Sequence, residues 1–302
     1  MRLLDARLAP PILRASPADG LCLATIGWLH RSHAETADYP PAFSDGDVAT
    51  WPFLGLGAPL YLFPTVEQRS LLFQPLYFHE FGHLLYVCHR PELDALVGEL
   101  QRTIYDSLQP ASQRNDRYAA RHASQRQLVV NLWYQWAQEF FCDAVGFTIG
   151  GPCFLLAFSS YLSDLVDTDF YKHADDLRLS SHPVTWLRIQ FLTRRAARAG
   201  FADLANAAEE EWDTIADTLG IHEDYHGFYV EALQDPVERI VADMITEAAP
   251  RPYNESEAAG DGWSPTADTP VRLLNWAWQR LAEDSEGYAA WEAEQIEMLR
   301  IG

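Results

Sequence analysis

One stretch of the chain carries residues whose types and spacing suit metal chemistry. Residues 79–83 form an H-E-x-x-H motif, with imidazoles at His79 and His83 and a carboxylate at Glu80. Positions four residues apart lie on one face of a helix, so both imidazoles can reach a single metal ion. Glu80 is then placed to take a proton from a metal-bound water. The pattern predicts a zinc site with a general base, on a helix that the apolar residues 76–87 bury.

A second helix is predicted at residues 127–149, and it can complete the ligand set. Its sequence is apolar nearly all round, which indicates a central position, yet it carries Glu139 and Asp143 four residues apart. Buried carboxylates are expensive unless they are paired or bind a metal. Glu139 can supply the third zinc ligand, and Asp143 can hold the free ring N–H of a ligand histidine. The alternative is that both pair with N–H groups or arginines elsewhere in the core.

A third polar element lies within residues 179–192. The proline that follows Ser181 and His182 is typical of the first turn of a helix. This places His182 at the mouth of the helix and Arg188 one to two turns inside. Either side chain could donate to the oxyanion of a tetrahedral intermediate, although capping histidines and structural arginines are common.

The H-E-x-x-H pattern occurs a second time, from His222 to His226. Gly220 and Gly227 flank this copy and predict helix ends rather than a helix interior. Glu238 and Asp243, which follow it, are five residues apart and not four. We therefore assign the metal site to the first copy and expect the second to lie on a surface or loop.

Taken together and in this order, the three motifs resemble the gluzincin metallopeptidases, and within them the HtpX-like and CAAX-prenyl-protease-like group. The resemblance spans roughly residues 60–195. It implies Zn²⁺ as the cofactor and water attacking a peptide carbonyl that zinc polarises. The resemblance assigns the zinc ligands to His79, His83 and Glu139, and the general base to Glu80. It makes Asp143 the carboxylate that orients a ligand histidine. It places His182 and Arg188 near the oxyanion and the active-site carboxylates.

The function implied by this resemblance is hydrolysis of peptide bonds in a protein or peptide substrate. The alternative is a metal-binding regulatory or interaction protein with a peptidase-like fold and little proteolytic activity. Members of the group are often embedded in membranes, whereas this chain shows no convincing span. Cys142 stands before Asp143 where alanine is common, and a thiol at that position invites oxidation.

Composition and charge limit the class of protein and the kinds of partner. The chain has 302 residues, 48% of them hydrophobic, and a formal charge of −21. It can bury a sizeable core, and its charge argues against nucleic acid or an anionic membrane surface as the main partner. Four cysteines without regular spacing, and no secretory signal, predict a cytoplasmic protein with reduced thiols. Residues 144–163 lack charge, but Gly150, Gly151 and Pro152 divide them into two buried helices.

The predicted fold is mainly α, a zincin-like core with at most a small β edge element and extra helices at both ends. We expect residues 1–59 to pack on a catalytic core at 60–200, and 201–302 to form a helical extension within one compact unit.

Three local expectations accompany this fold. Residues 60–63 predict a strand that, as an edge, could pair with extended substrate, or else a loop lining the core. A helix is expected from an N-cap at Thr65 through the first motif, with an adjustment at Pro75, ending before Pro91. His30 and His33 are expected on the surface.

Overall fold

The structure is a computed structural model, and it is mainly helical. Contacts group the chain into two compact units, one formed by residues 1–88, 145–161 and 250–302, the other by 89–144 and 162–249. The residues that the structure describes are 19–52, 59–64, 67–108, 119–164, 174–220, 225–259, 262–265 and 267–301.

The described elements follow one another along the chain, and their strands lie in its first quarter. The first part holds α1 (Asp19–Arg31), β1 (Ala42–Asp45), β2 (Ala49–Trp51), β3 (Leu60–Phe63), a 3-10 turn (Glu67–Arg69), α2 (Leu76–Cys88), α3 (Arg90–Ser107), α4 (Ala119–Gly150) and α5 (Pro152–Asp164). The second part holds α6 (Ala174–Leu177), α7 (Thr185–Arg198), α8 (Ala202–Leu219), a 3-10 turn (Glu231–Leu233), α9 (Gln234–Ala248), α10 (Glu255–Ala258), α11 (Pro270–Glu283) and α12 (Tyr288–Ile301).

The predicted strand at residues 60–63 is present, but it does not form an edge. β3 lies between the other two strands, parallel to β1 with Ala42 opposite Leu60, and antiparallel to β2 with Ala49 opposite Leu62. All four residues of β3 are buried. A strand with a neighbour on each side has no free row of N–H and C=O groups. The expectation that this strand could pair with extended substrate is therefore wrong.

The helix that carries the first motif begins later than predicted. Residues 65 and 66 lie outside the described residues, and after the 3-10 turn the chain enters α2 only at Leu76. The physical reason is Pro75, because the residue before a proline resists helix while the proline itself suits a first turn. The predicted end is confirmed: α2 stops at Cys88, and Pro91 lies in the first turn of α3.

The uncharged stretch at residues 144–163 forms two helices, as predicted. α4 runs to Gly150, Gly151 adopts a positive φ of 59°, and α5 begins at Pro152. Glycine tolerates this conformation without the steric cost that other residues meet. Within the described part of the chain, no helix has both the length and the apolarity needed to cross a bilayer.

His30 and His33 are buried, so the expectation that they lie on the surface is wrong. They are 1% and 4% exposed. His30 contacts Tyr61 of β3 through a 2.8 Å Nε2–Oη hydrogen bond, and the Nε2 of His33 accepts the backbone N–H of Arg251 at 3.0 Å. These partners are distant in sequence, so the local pattern of polar residues could not indicate them.

Candidate metal centre

α2 places the two histidines of the first motif side by side in the first unit. The ring centroids of His79 and His83 are 5.1 Å apart, with their planes nearly perpendicular. His79 is buried and His83 is partly buried. The spacing of four residues therefore brings both imidazoles to one face of the helix, as the sequence predicts.

An aromatic wall holds the first of these histidines in place. The ring of His79 stacks on Phe158 of α5, with centroids 5.7 Å apart and planes 23° apart. Phe158 in turn stacks on Phe154 at 5.2 Å. Stacked rings limit rotation of the imidazole and exclude water from one side of it. This apolar support is of the kind that orients metal ligands in proteins.

Glu80 is a buried carboxylate with capacity left to accept a proton or a hydrogen bond. Its side chain is 3% exposed, and within the described residues its Oε2 has no hydrogen-bond partner. The pKa of the Tyr61 phenol is raised, chiefly by burial and then by the negative charge of Glu80. Tyr61 therefore lies within electrostatic range of this carboxylate. A buried carboxylate oxygen without a partner carries a desolvation cost, and a functional role is one explanation for such a group.

The hydroxyl of Tyr61 donates a hydrogen bond to Nε2 of His30. The Nδ1 of His30 is 3.2 Å from the carbonyl oxygen of Thr36, an acceptor only, so Nδ1 carries the hydrogen and Nε2 accepts from Tyr61. This direction leaves the Tyr61 proton unavailable to Glu80.

In the second unit, α4 presents its two carboxylates to one arginine. Arg188 donates from Nε and Nη2 to the two oxygens of Asp143 at 2.9 and 2.7 Å, and its Nη2 lies 3.3 Å from Glu139. All three side chains are buried. Burial lowers the pKa of Arg188, but the charge of Asp143, the hydrogen bonds to it and the charge of Glu139 together raise it by more, so the guanidinium stays charged. One guanidinium is thus shared by two buried carboxylates.

His182 approaches the same group from the surface. Its Nε2 lies 3.6 Å from Oε1 of Glu139, and its side chain is 55% exposed. The helix α7 begins at Thr185, slightly after the predicted start, so His182 precedes the helix and Arg188 lies in its first turn. The structure thus brings His182, Arg188, Glu139 and Asp143 together.

A group of possible ligand atoms includes a residue that the ligand prediction did not use. One ring nitrogen of His79, one of His83 and Sγ of Cys142 all lie within 4.8 Å of one another. Imidazole nitrogen and thiolate sulfur are both ligands that zinc accepts. These donors can bind a metal ion, and the orphaned oxygen of Glu80 beside them fits a site built around a cation. The assignment of Glu139 as third ligand stays a prediction.

The second H-E-x-x-H copy ends in a loop. α8 terminates at Gly220 in the left-handed conformation, and His226 and Gly227 both have positive φ. His222 and Glu223 lie outside the described residues. Gly220 ends a helix, as predicted, and the described end of the motif, Tyr225 and His226, is not helical.

Sequence reasoning placed the thiol of Cys142 beside the site but did not assign it as a ligand. A ligand role could have been suspected, because Cys142 lies three residues after Glu139 on one helix face. The bond between His30 and Tyr61 joins residues 31 positions apart, and no local pattern indicates it.

Compared with protein-family models, curated proteins and solved structures, the chain matches none.

Proposed function

We propose that this chain is a zinc-dependent metallopeptidase that cleaves peptide bonds in a protein or peptide substrate. The observation that carries the proposal is the buried Glu80, with one oxygen lacking a partner among the described residues, directly beside two histidines on one helix face. A buried base next to a pair of ligand histidines is what water activation requires.

His79 and His83 would hold the metal, with Glu139 as the proposed third protein ligand. A zinc ion bound there would lower the pKa of a bound water and would polarise the substrate carbonyl. Glu80 takes the proton of the attacking water at Oε2 and later delivers it to the leaving amine. The stacked Phe158 keeps water from the far side of His79, which protects the orientation of the ligand.

The remaining polar residues divide into two roles. His182 is the more exposed, so it can reach a substrate and donate to the developing oxyanion. Arg188 is committed to Asp143 and Glu139, which makes it a positioning residue for these carboxylates.

Replacement of the base tests the proposal. Glu80→Gln keeps the shape of the side chain but cannot accept a proton, so hydrolysis of denatured casein should fall by about 10²- to 10⁴-fold while bound zinc is retained. Glu223→Gln makes the same change in the second copy of the motif and should leave the rate unaltered. Hydrolysis by Glu80→Gln at the wild-type rate would refute the mechanism.

A second candidate is a metal-binding regulatory or interaction protein with little proteolytic activity. The position of Cys142 within the group of possible ligands favours it, because sites closed by thiolate and imidazole ligands are typical of structural zinc. Cobalt substitution separates the two candidates. A sulfur-to-cobalt charge-transfer band that disappears in Cys142→Ser, in a protein that cleaves neither casein nor peptide libraries, would support this candidate. A spectrum insensitive to Cys142→Ser but altered by Glu139→Gln would support the peptidase.

A further inference from the structure

A short stretch of chain, residues 70–75, leads into the helix that carries the first motif, and we call it the entry segment. The helix α2 follows it directly at Leu76, so the candidate ligand His79 is only the fourth residue of the helix. The first three N–H groups of α2 donate to carbonyls of the entry segment, the third of them from Phe78 to Pro75 at 2.9 Å. The first turn of α2 therefore depends on the position of these carbonyl oxygens.

One carboxylate of α12 holds the beginning of the entry segment. Oε1 of Glu292 accepts the backbone N–H of Leu71 at 2.7 Å and the hydroxyl of Ser70 at 3.1 Å. Tyr288, one turn earlier on α12, donates its hydroxyl to the same oxygen at 3.0 Å. Leu71 is fully buried, so its N–H would carry a desolvation cost if this acceptor were removed.

A second contact comes from α11 and fixes the next residue of the entry segment. Nε1 of Trp278 donates to the carbonyl of Leu72 at 3.2 Å. Within the segment, the N–H of Leu72 donates to the hydroxyl of Ser70 at 3.2 Å, and the side chain of Gln74 donates to the carbonyl of Ser70 at 3.4 Å. The helices α11 and α12 are therefore bonded to a segment that is itself bonded to the first turn of α2.

The relative position of the two candidate ligand histidines depends on this first turn. Helix ends unwind more readily than helix interiors, and unwinding of one turn from Leu76 would reach His79 while His83 stayed helical. The two imidazoles lie on one face only while both residues are in the helix. Metal sites require ligands held close to their productive geometry, so opening of this turn weakens metal binding.

We propose that Glu292 is a positioning residue for the metal site, and that docking of α12 on the entry segment sets the affinity of the two histidines for zinc. Coupling between two sites is reciprocal, so zinc binding in turn stabilises the docked α12. This inference rests on the zinc site of the proposed function and adds the control of that site by a helix more distant along the chain.

The first test is hydrogen exchange in the metal-free protein, measured on the amides of residues 76–83. Glu292→Met removes the acceptor and should speed this exchange by about tenfold, because the first turn of α2 opens more often. Glu292→Gln keeps a neutral acceptor and should recover much of the protection. Glu294→Met is the matched control, since Glu294 is an exposed glutamate on the same helix, and it should leave the exchange unchanged.

The second test is the Kd for zinc, measured in the same variants by competition with a chromophoric chelator. The Kd should rise by about tenfold in Glu292→Met, rise less in Glu292→Gln and stay unchanged in Glu294→Met. Trp278→Phe removes the donor to Leu72 alone, so it should shift the exchange and the Kd in the same direction. This milder variant decides the question if Glu292→Met does not fold.

Two results would overturn the inference. One is unchanged exchange at residues 76–83 in Glu292→Met, or in Trp278→Phe where the first variant does not fold. The other is faster exchange throughout the chain with a wild-type Kd for zinc, because α12 would then be a structural support only.

Failure of the peptidase proposal is distinguished because neither measurement requires catalysis. A wild type that cleaves nothing, but whose affinity for zinc falls in Glu292→Met, refutes the peptidase and supports the positioning role. A wild type that binds no zinc after reconstitution overturns both.

Discussion

Arg188 donates two parallel hydrogen bonds, of 2.9 and 2.7 Å, to the carboxylate of Asp143, and the same guanidinium lies 3.3 Å from the carboxylate of Glu139. A bidentate pair fixes both distance and orientation. The carboxylates of α4 are therefore set by a residue of α7, and their positions do not depend on α4 alone.

Loss of this guanidinium should destabilise the protein strongly. Arg188→Met leaves two buried carboxylates without it, and breaking a buried pair in this way costs about 3–5 kcal/mol. Urea unfolding should show a midpoint far below that of wild type. Arg188→Lys should recover only part of the loss, since a lysine cannot make the bidentate contact.

An exposed arginine provides the control. Arg239 pairs with Glu99 and Asp243 on the surface, where water screens the charges. Arg239→Met should leave the urea midpoint unchanged. Equal effects of the two Met substitutions would show that the buried contact contributes nothing particular.

Close packing between α4 and α5 should make one glycine irreplaceable. A Cβ on Gly146 would overlap the ring of Phe154, which itself supports the stack on Phe158. Gly146→Ala should lower the free energy of unfolding by about 1–3 kcal/mol through overpacking.

Gly98 on α3 is the matched helical glycine, because a Cβ there meets no atom within 4 Å. Gly98→Ala should raise the free energy of unfolding by up to about 1 kcal/mol through helix propensity. Chemical unfolding of both variants measures the contrast. The same sign in both would contradict the packing described for Gly146.

Stability should fall under mildly acidic conditions because His30 and His33 are buried. Burial lowers the pKa of each below its ordinary value of 6.5, and for His33 the charge of Arg251 lowers it further. The unfolded chain binds protons as the pH falls through 6.5, while the folded chain resists until a lower pH. The contribution of the two neutral, buried histidines to the free energy of unfolding is therefore complete above pH 6.5 and declines below it.

His33→Gln should weaken this dependence. Glutamine can still offer a donor and an acceptor in place of the contacts to Leu29 and Arg251, but it does not titrate. Urea midpoints between pH 8 and pH 5 should drop less in the variant than in wild type. If the urea midpoint fell equally with pH in the variant and in wild type, titration of His33 would not contribute to the pH dependence.

The sequence indicated those pairs of site residues that lie four positions apart on a single helix. The spacing of His79 and His83 on α2, and of Glu139 and Asp143 on α4, follows from helical periodicity. The ion pair that Arg188 makes was only one of several open alternatives, because a single polar residue in a helix does not reveal its partner.

The errors arose where distant segments decide the outcome. β3 could not be recognised as a central strand, because β1 and β2 are three or four residues long and give no clear alternation. His30 is buried by Tyr61, and His33 by a backbone group near the C-terminal helices. Such partners are brought close only by the tertiary fold.

The central claim is that α2 carries the metal ligands, and the metal content of the purified protein tests it most directly. Zinc is measured per chain in wild type, His79→Ala and His222→Ala after reconstitution. We expect about one zinc in wild type and in His222→Ala and none in His79→Ala, because a lone remaining histidine with one further ligand binds zinc weakly. Zinc retained in His79→Ala, or absent from reconstituted wild type, would contradict the account.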